Sequence, residues 1–328
     1  MTKQRHNRLV TACLVFGSLY SAISTVSAQE IGPHEWLDKM ANAVRTTNYE
    51  GTVIRLQNDK VEALKVVHMV SDGVVRERVI IQEGNGLEII RNGNEVQCIL
   101  PDNRSVLVEE WNDQSTVFST LPSIDIRFGA EYDVSIIGNE RIAGRKAVML
   151  AIRPQDEYRF GHRLWLDAET GFPLQTTLIG DGGDAVERVK FADISLGQEI
   201  HASALSPSVS LENFRWFTSP RREIIEDVDS LWHSNDLPPG FKVVSTHDEE
   251  LPGKETPVTH ILYSDGLASV SVFTEPASEQ KFAKRSRVGA SHSYSILIGD
   301  YQVTAVGEVP ATTVERIAKS MQFTGQTR

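Results

Sequence analysis

The stretch RFGHRLWLDAETGFPLQTTLI, residues 159–179, decides the fold. Phe160, His162, Leu164 and Leu166 alternate with Gly161, Arg163, Trp165 and Asp167, and Phe172, Leu174, Thr176 and Leu178 resume that two-residue period after Ala168-Glu169-Thr170-Gly171. A period of two is the pattern of a half-buried strand, so the stretch reads as a β-hairpin. Gly171 supplies a positive φ without steric cost, and Asp167 can hydrogen-bond its own backbone to start the reversal. The alternation sets Leu164, Leu166, Phe172 and Leu174 on one face and Trp165 on the other. A lone hairpin cannot bury an apolar face, so these residues require a larger sheet.

That sheet is legible on both sides of the hairpin. Upstream, residues 52–57, 61–70, 74–82, 87–91, 95–100 and 105–110 read as strands separated by turns such as Ser71-Asp72-Gly73, Asn92-Gly93 and Pro101-Asp102-Asn103. Residues 111–129, with Leu121-Pro122-Ser123 inside them, break the rhythm and read as a loop or short helix. Strands resume at 132–137 and 145–152, and 185–196 follows the hairpin after Asp181-Gly182-Gly183-Asp184. About ten residues per strand favours a sandwich or barrel over alternating β-α units. Ahead of the sheet, residues 33–47 read as an amphipathic helix. Pro33 suits its first turn, Glu35 and Asp38 its positive end, and Trp36, Leu37, Met40, Ala41 and Val44 form one apolar stripe able to cover or plug a curved sheet.

Small residues, serines and prolines between His201 and Pro220 mark a domain boundary. Beyond it, 241–245, 259–263, 267–273, 294–298 and 302–306 are strand candidates, and Pro310 opens a helix with Val314, Ile317, Ala318 and Met321 on one face. The organisation expected is a signal peptide at 1–28, a large domain at 29–203, a linker at 204–220 and a small α+β domain at 221–328.

The signal peptide rests on Lys3, Arg5 and Arg8 ahead of an apolar run starting at Leu9, and on the small residues at Val26-Ser27-Ala28. The apolar run is shorter than the ~20 residues that span a bilayer. Val10-Thr11-Ala12-Cys13 stands at the start of that run, whereas a lipoprotein cleavage box follows it. Cleavage after Ala28 leaves Cys98 as the sole cysteine, which excludes an intramolecular disulfide and leaves stability to the core. It also takes the formal charge from -11 to -14 by removing those three cations. So acidic a chain does not fit nonspecific nucleic-acid binding.

Catalytic and metal patterns are poorly represented. His34-Glu35-Trp36-Leu37-Asp38 departs from H-E-x-x-H at its second ligand, and the other histidines lack ligand spacing. There is no G-x-S-x-G, and Gly84-Asn85-Gly86 lacks the helix a phosphate loop opens. Neither a metal, a cofactor nor an enzyme is expected. Two binding features stand out. Lys281, Lys284, Arg285 and Arg287 form a basic cluster suited to an acidic peptide or lipid phosphate, in a stretch without strand period. The second is the inner face of the large sheet, where Leu164, Leu166, Phe172 and Leu174 are candidates to line an acyl-chain cavity, although the same alternation fits a filled core.

The hairpin resembles that of the periplasmic LolA/LolB carriers and of the large domain of the MucB/RseB family. Leu237-Pro-Pro-Gly-Phe241, Tyr263-Ser-Asp-Gly-Leu-Ala-Ser-Val-Ser-Val-Phe273, and Val306-Gly-Glu-Val-Pro310 followed by Thr313, Arg316, Ile317 and Ala318 resemble MucB/RseB specifically. Asp72-Gly-Val-Val-Arg-Glu-Arg78 and Gly138-Asn-Glu-Arg-Ile-Ala-Gly144 agree with it. The resemblance implies a mainly β fold with some α: a large LolA/LolB-like unclosed antiparallel β-barrel with a helical plug, then a smaller α+β domain that is the principal partner-binding unit. It further implies a soluble periplasmic negative regulator of a sigma-E or AlgU type envelope-stress sigma factor. Such a protein binds the periplasmic domain of a membrane-spanning anti-sigma factor of RseA or MucA type and shields it from a DegS-type first cleavage. Lipopolysaccharide or the acyl chains of a mislocalised lipoprotein would loosen that complex. A homo-oligomer stays open. The competing reading is a lipid or lipoprotein carrier, which the second domain argues against.

Overall fold

The computed structural model describes residues 31–57, 60–110, 130–218, 225–226, 231–249, 257–277 and 284–325. The signal segment and residues 111–129 lie outside them. Helix α1 (Pro33–Thr46) has proline in its first turn and Glu35 near its positive end, and buries Trp36, Leu37, Met40, Ala41 and Ala43. Its strands follow in two runs. The first is β1 (Tyr49–Gln57), β2 (Lys60–Ser71), β3 (Val74–Ile81), β4 (Glu88–Asn92), β5 (Glu95–Leu100) and β6 (Ser105–Glu110). The second is β7 (Tyr132–Ile142), β8 (Arg145–Pro154), β9 (Gly161–Asp167), β10 (Pro173–Ile179) and β11 (Ala185–Leu196). Each run is a meander, and β1 joins them by pairing antiparallel with both β2 and β11. One continuous sheet results, with β7 at one edge.

Its other edge was not expected. A 3₁₀ turn at Ala202–Leu205 leads to β12 (Arg215–Thr218), which pairs parallel with β6 as the twelfth strand. Arg78 Nη1 donates to the Ala204 carbonyl at 3.0 Å, and Ser208 Oγ donates to the wholly buried Glu88 at 2.6 Å. The described part of the segment read as a linker is therefore bound along the first sheet. Edges β7 and β12 do not pair with each other among the described residues, so the sheet is unclosed. Its core gathers Tyr49, Val53, Leu64, Val66, Val79, Trp165, Phe172, Leu174, Val189 and Phe191, with Ala43 of α1.

The second unit carries β13 (Ile225–Glu226), β14 (Trp232–Ser234), β15 (Lys242–Glu249), β16 (Val258–Ser264), β17 (Ser269–Pro276), β18 (Lys284–Val288), β19 (Ser291–Ile298), β20 (Tyr301–Gly307), α2 (Ala311–Ser320) and β21 (Met321–Phe323). Seven of these strands form a sheet in the order β13-β15-β16-β17-β20-β19-β18, and β14 pairs with β21. Helix α2 lies on β19 and β20 and sends Val314, Ile317 and Ala318 into a core with Tyr263, Val270, Val272, Val303 and Ala305. The fold is mainly β, as expected.

Candidate functional site

The basic cluster lies on β18, which corrects the reading of that stretch as lacking strand character. K-R-S-R-V has no apolar alternation because all five residues are exposed, so the usual signal of a strand is missing. β18 ends its sheet and, among the described residues, pairs only with β19, setting Arg285 opposite Tyr294 and Arg287 opposite His292. Arg285 Nη2 donates to Glu315 Oε2 of α2 at 2.6 Å and its guanidinium stands 5.9 Å from the Tyr294 ring. Glu315 also accepts from Lys319 Nζ at 2.5 Å, and the bonds from Lys319 and then Arg285 hold its carboxyl below the ordinary range. Arg287 Nε donates to the Gly289 carbonyl at 3.0 Å. Lys281 lies outside the described residues. Edge strands offer unpaired backbone groups, and cations on one both discourage self-pairing and favour an acidic extended segment.

The hairpin turn forms as read. Asp167 Oδ1 accepts from the Thr170 amide at 2.8 Å and its hydroxyl at 2.9 Å, while Gly171 adopts φ +79°. Burial pulls the Asp167 carboxyl up, but bonds from Arg145 and Thr170 outweigh it and hold the group below its usual value. Glycine is required here for a second reason: a Cβ at position 171 would sit 2.6 Å from Lys39 Cγ of α1. Leu164, Leu166, Phe172 and Leu174 are all fully buried. The two faces differ from the simple alternation, because Phe172 and Leu174 share a core cluster with Trp165. Register explains this. Pro173 faces Leu166 and Gln175 faces Trp165, leaving Leu174 as the extra residue of a β-bulge that shifts the two-residue period.

Two clefts of about 480 Å³ flank the first sheet. One is lined by Thr46, Asn48, Arg145, Glu169, Thr170 and Leu196, the other by residues of β8, β9 and the connections beside them, including Arg153, Asp156, His162 and Asp181. Neither is lined by the four apolar candidates. Inside the core lies a polar row that sequence reading passed over. Tyr49, His68 and Glu77 pair across β1, β2 and β3, with His68 Nδ1 2.9 Å from Glu77 Oε2 and the Tyr49 ring stacked 4.7 Å from His68. Burial, then Glu77, pushes the Tyr49 hydroxyl well up. The signal available was three polar groups at inward-facing positions of apolar strands.

Comparison with known proteins places these features in context. The family model described as the MucB/RseB N-terminal domain matches residues 32–209, and the MucB/RseB C-terminal domain model matches residues 226–322. The sigma factor AlgU regulatory protein MucB of Pseudomonas aeruginosa is 32% identical over 323 residues, covering 96% of this chain and 98% of that protein. A crystal structure of MucB in complex with MucA(peri) is similar with a TM-score of 0.69 at 30% identity, over 90% of this chain and 100% of that one. A further crystal structure of MucB gives 0.56 at 28% identity, over 89% and 98%.

Proposed function

This chain belongs to the MucB/RseB family, and we propose from that premise that it is a negative regulator of an envelope-stress sigma factor of the AlgU or sigma-E type. It works by binding and not by catalysis. A signal peptide ending at Ala28 delivers it to the periplasm, where it holds the periplasmic segment of a membrane-spanning anti-sigma factor of the MucA or RseA type. The bound segment is shielded from a DegS-type protease. The observation that carries this reading is the match of both family domains, in order, along nearly the whole chain, together with likeness to MucB solved with MucA(peri).

Within that scheme, Lys281, Lys284, Arg285 and Arg287 are the anionic contact, made on the partner segment or a lipid phosphate, and the place of β18 at the end of its sheet among the described residues supports an extended partner there. Leu164, Leu166, Phe172 and Leu174 are the positions where an acyl chain would press into the first sheet. Lipid and partner then prefer different states of one protein, and each weakens the other by its differential affinity. Charge reversal of Lys284 and Arg287 to Glu tests the contact by titration calorimetry with a synthetic anti-sigma periplasmic segment. A fall in affinity of roughly tenfold, about 1.4 kcal/mol, is expected. Unchanged affinity for both the segment and lipopolysaccharide would remove the assignment.

A further inference from the structure

The loop between β8 and β9 leaves the first sheet and enters the second unit, carrying Arg159 with it. This side chain has no exposure at all. Its Nε lies 3.0 Å from Asp265 Oδ2 and its Nη1 3.1 Å from Asp156 Oδ2, while Nη2 donates to the Pro239 carbonyl at 2.5 Å. The guanidinium carbon is 5.3 Å from the ring centres of both Tyr132 and Phe241, and the Tyr132 hydroxyl donates to the same Asp265 Oδ2 at 2.8 Å. Tyr132, Asp156 and Arg159 belong to the first sheet and its loops. Pro239, Phe241 and Asp265 belong to the second unit. Neighbouring contacts run the same way: Thr313 Oγ1 at the start of α2 donates to the Tyr158 carbonyl at 2.7 Å, and the Arg316 guanidinium lies 4.7 Å from the Tyr158 ring.

Two facts give this centre its weight. Each apolar core is confined to its own unit among the described residues, so neither cluster crosses the junction. The junction centres instead on a buried cation paired with two carboxylates and flanked by the Tyr132 and Phe241 rings, and removing either carboxylate leaves its charge less compensated. Moreover, Arg159, Leu237-Pro-Pro-Gly-Phe241 and Tyr263-Ser-Asp265 come from three separate sequence motifs, and Arg159 is paired with a residue of each of the other two.

We propose that the Arg159–Asp265 pair is a latch that holds the two units in the arrangement competent to bind the anti-sigma segment, and that opening it releases that segment. The second half of this proposal rests on the function proposed above. Asp265 also offers a selective test, because its two oxygens do separate work. Oδ1 accepts from the amides of Leu267 and Ala268 and so caps the β16–β17 turn, whereas Oδ2 faces Arg159 and Tyr132. Asp265→Asn can keep the turn while presenting an amide donor to the guanidinium.

The experiment compares the full mature chain with its Asp265→Asn and Tyr132→Phe variants by solution X-ray scattering, and by calorimetry with a synthetic anti-sigma periplasmic segment. Asp265→Asn is expected to enlarge the radius of gyration and weaken the segment at least tenfold, with circular dichroism unchanged. Tyr132→Phe, which removes only the hydroxyl, moves both in the same direction by less, and decides the matter if Asp265→Asn fails to fold. Wild-type scattering from both variants overturns the latch. Enlarged scattering with unchanged affinity overturns its control of the partner. Should the wild-type chain itself not bind the segment, the proposed function fails, and scattering alone then decides whether the latch exists.

Discussion

Glu308, in the turn between β20 and α2, shows how one carboxyl at the junction sets a pH dependence. It shares a small gap with His162, Glu187 and Val189 of the first sheet. Burial and then the charge of Glu187 push its carboxyl up, against a smaller pull from Arg55. Glu187 is engaged with Arg55 at 3.0 Å and Gln57 at 2.5 Å. His162 does not neutralise the pair, because burial lowers its imidazole to about 4 and leaves it uncharged at neutral pH. A carboxyl raised in the folded state binds more protons there than in the unfolded chain, so its ionisation costs stability as pH rises past its unfolded value of ~4.3. Glu308→Gln is therefore expected to raise the melting temperature at pH 7 and to give no gain near pH 4. Thermal unfolding across that range measures it, and a gain that persisted at pH 4 would show the effect is not one of charge. Leu164 poses the other residue-scale question. It is wholly buried, so Leu164→Ala should cost ~2–5 kcal/mol by denaturant unfolding if the site is filled core. A loss well under that, with weakened lipid response, would instead favour a site that opens to an acyl chain.

At the scale of elements, what was legible and what was not follow one physical rule. Strands with one face buried announce themselves by alternation, and β1 to β11 fall within a few residues of their expected places, bounded by the turn residues between them. Two kinds of element were missed: β14 and β21, three residues each and too short to show a period although they bury Trp232 and Met321, and strands that bury nothing. β12 and β18 are exposed throughout, lie at sheet edges, and are specified by backbone pairing that leaves no mark on residue type. The bulge at Leu174 was hidden for a different reason, because a single extra residue beside Pro173 changes faces without changing composition. Arg159 was quoted at the head of the deciding stretch, yet nothing adjacent in sequence marks it as buried. Its partners at Pro239 and Asp265 lie about 80 and 106 residues on, and only tertiary folding brings them to it.

For the whole molecule, two cores lie on either side of a seam centred on the buried Arg159, and the passage between them clings to the first sheet through Arg78, Glu88 and Ser208. Such a body suits binding that depends on the relation between its units. A regulator of the proposed kind must shield an anti-sigma segment from its protease. The most direct measurement is the rate at which a DegS-type protease cleaves a synthetic MucA- or RseA-type periplasmic segment, with and without the mature protein in excess. Cleavage slowed at least tenfold, and restored by lipopolysaccharide, is the result expected. Cleavage at an unchanged rate in the presence of folded protein would contradict the account.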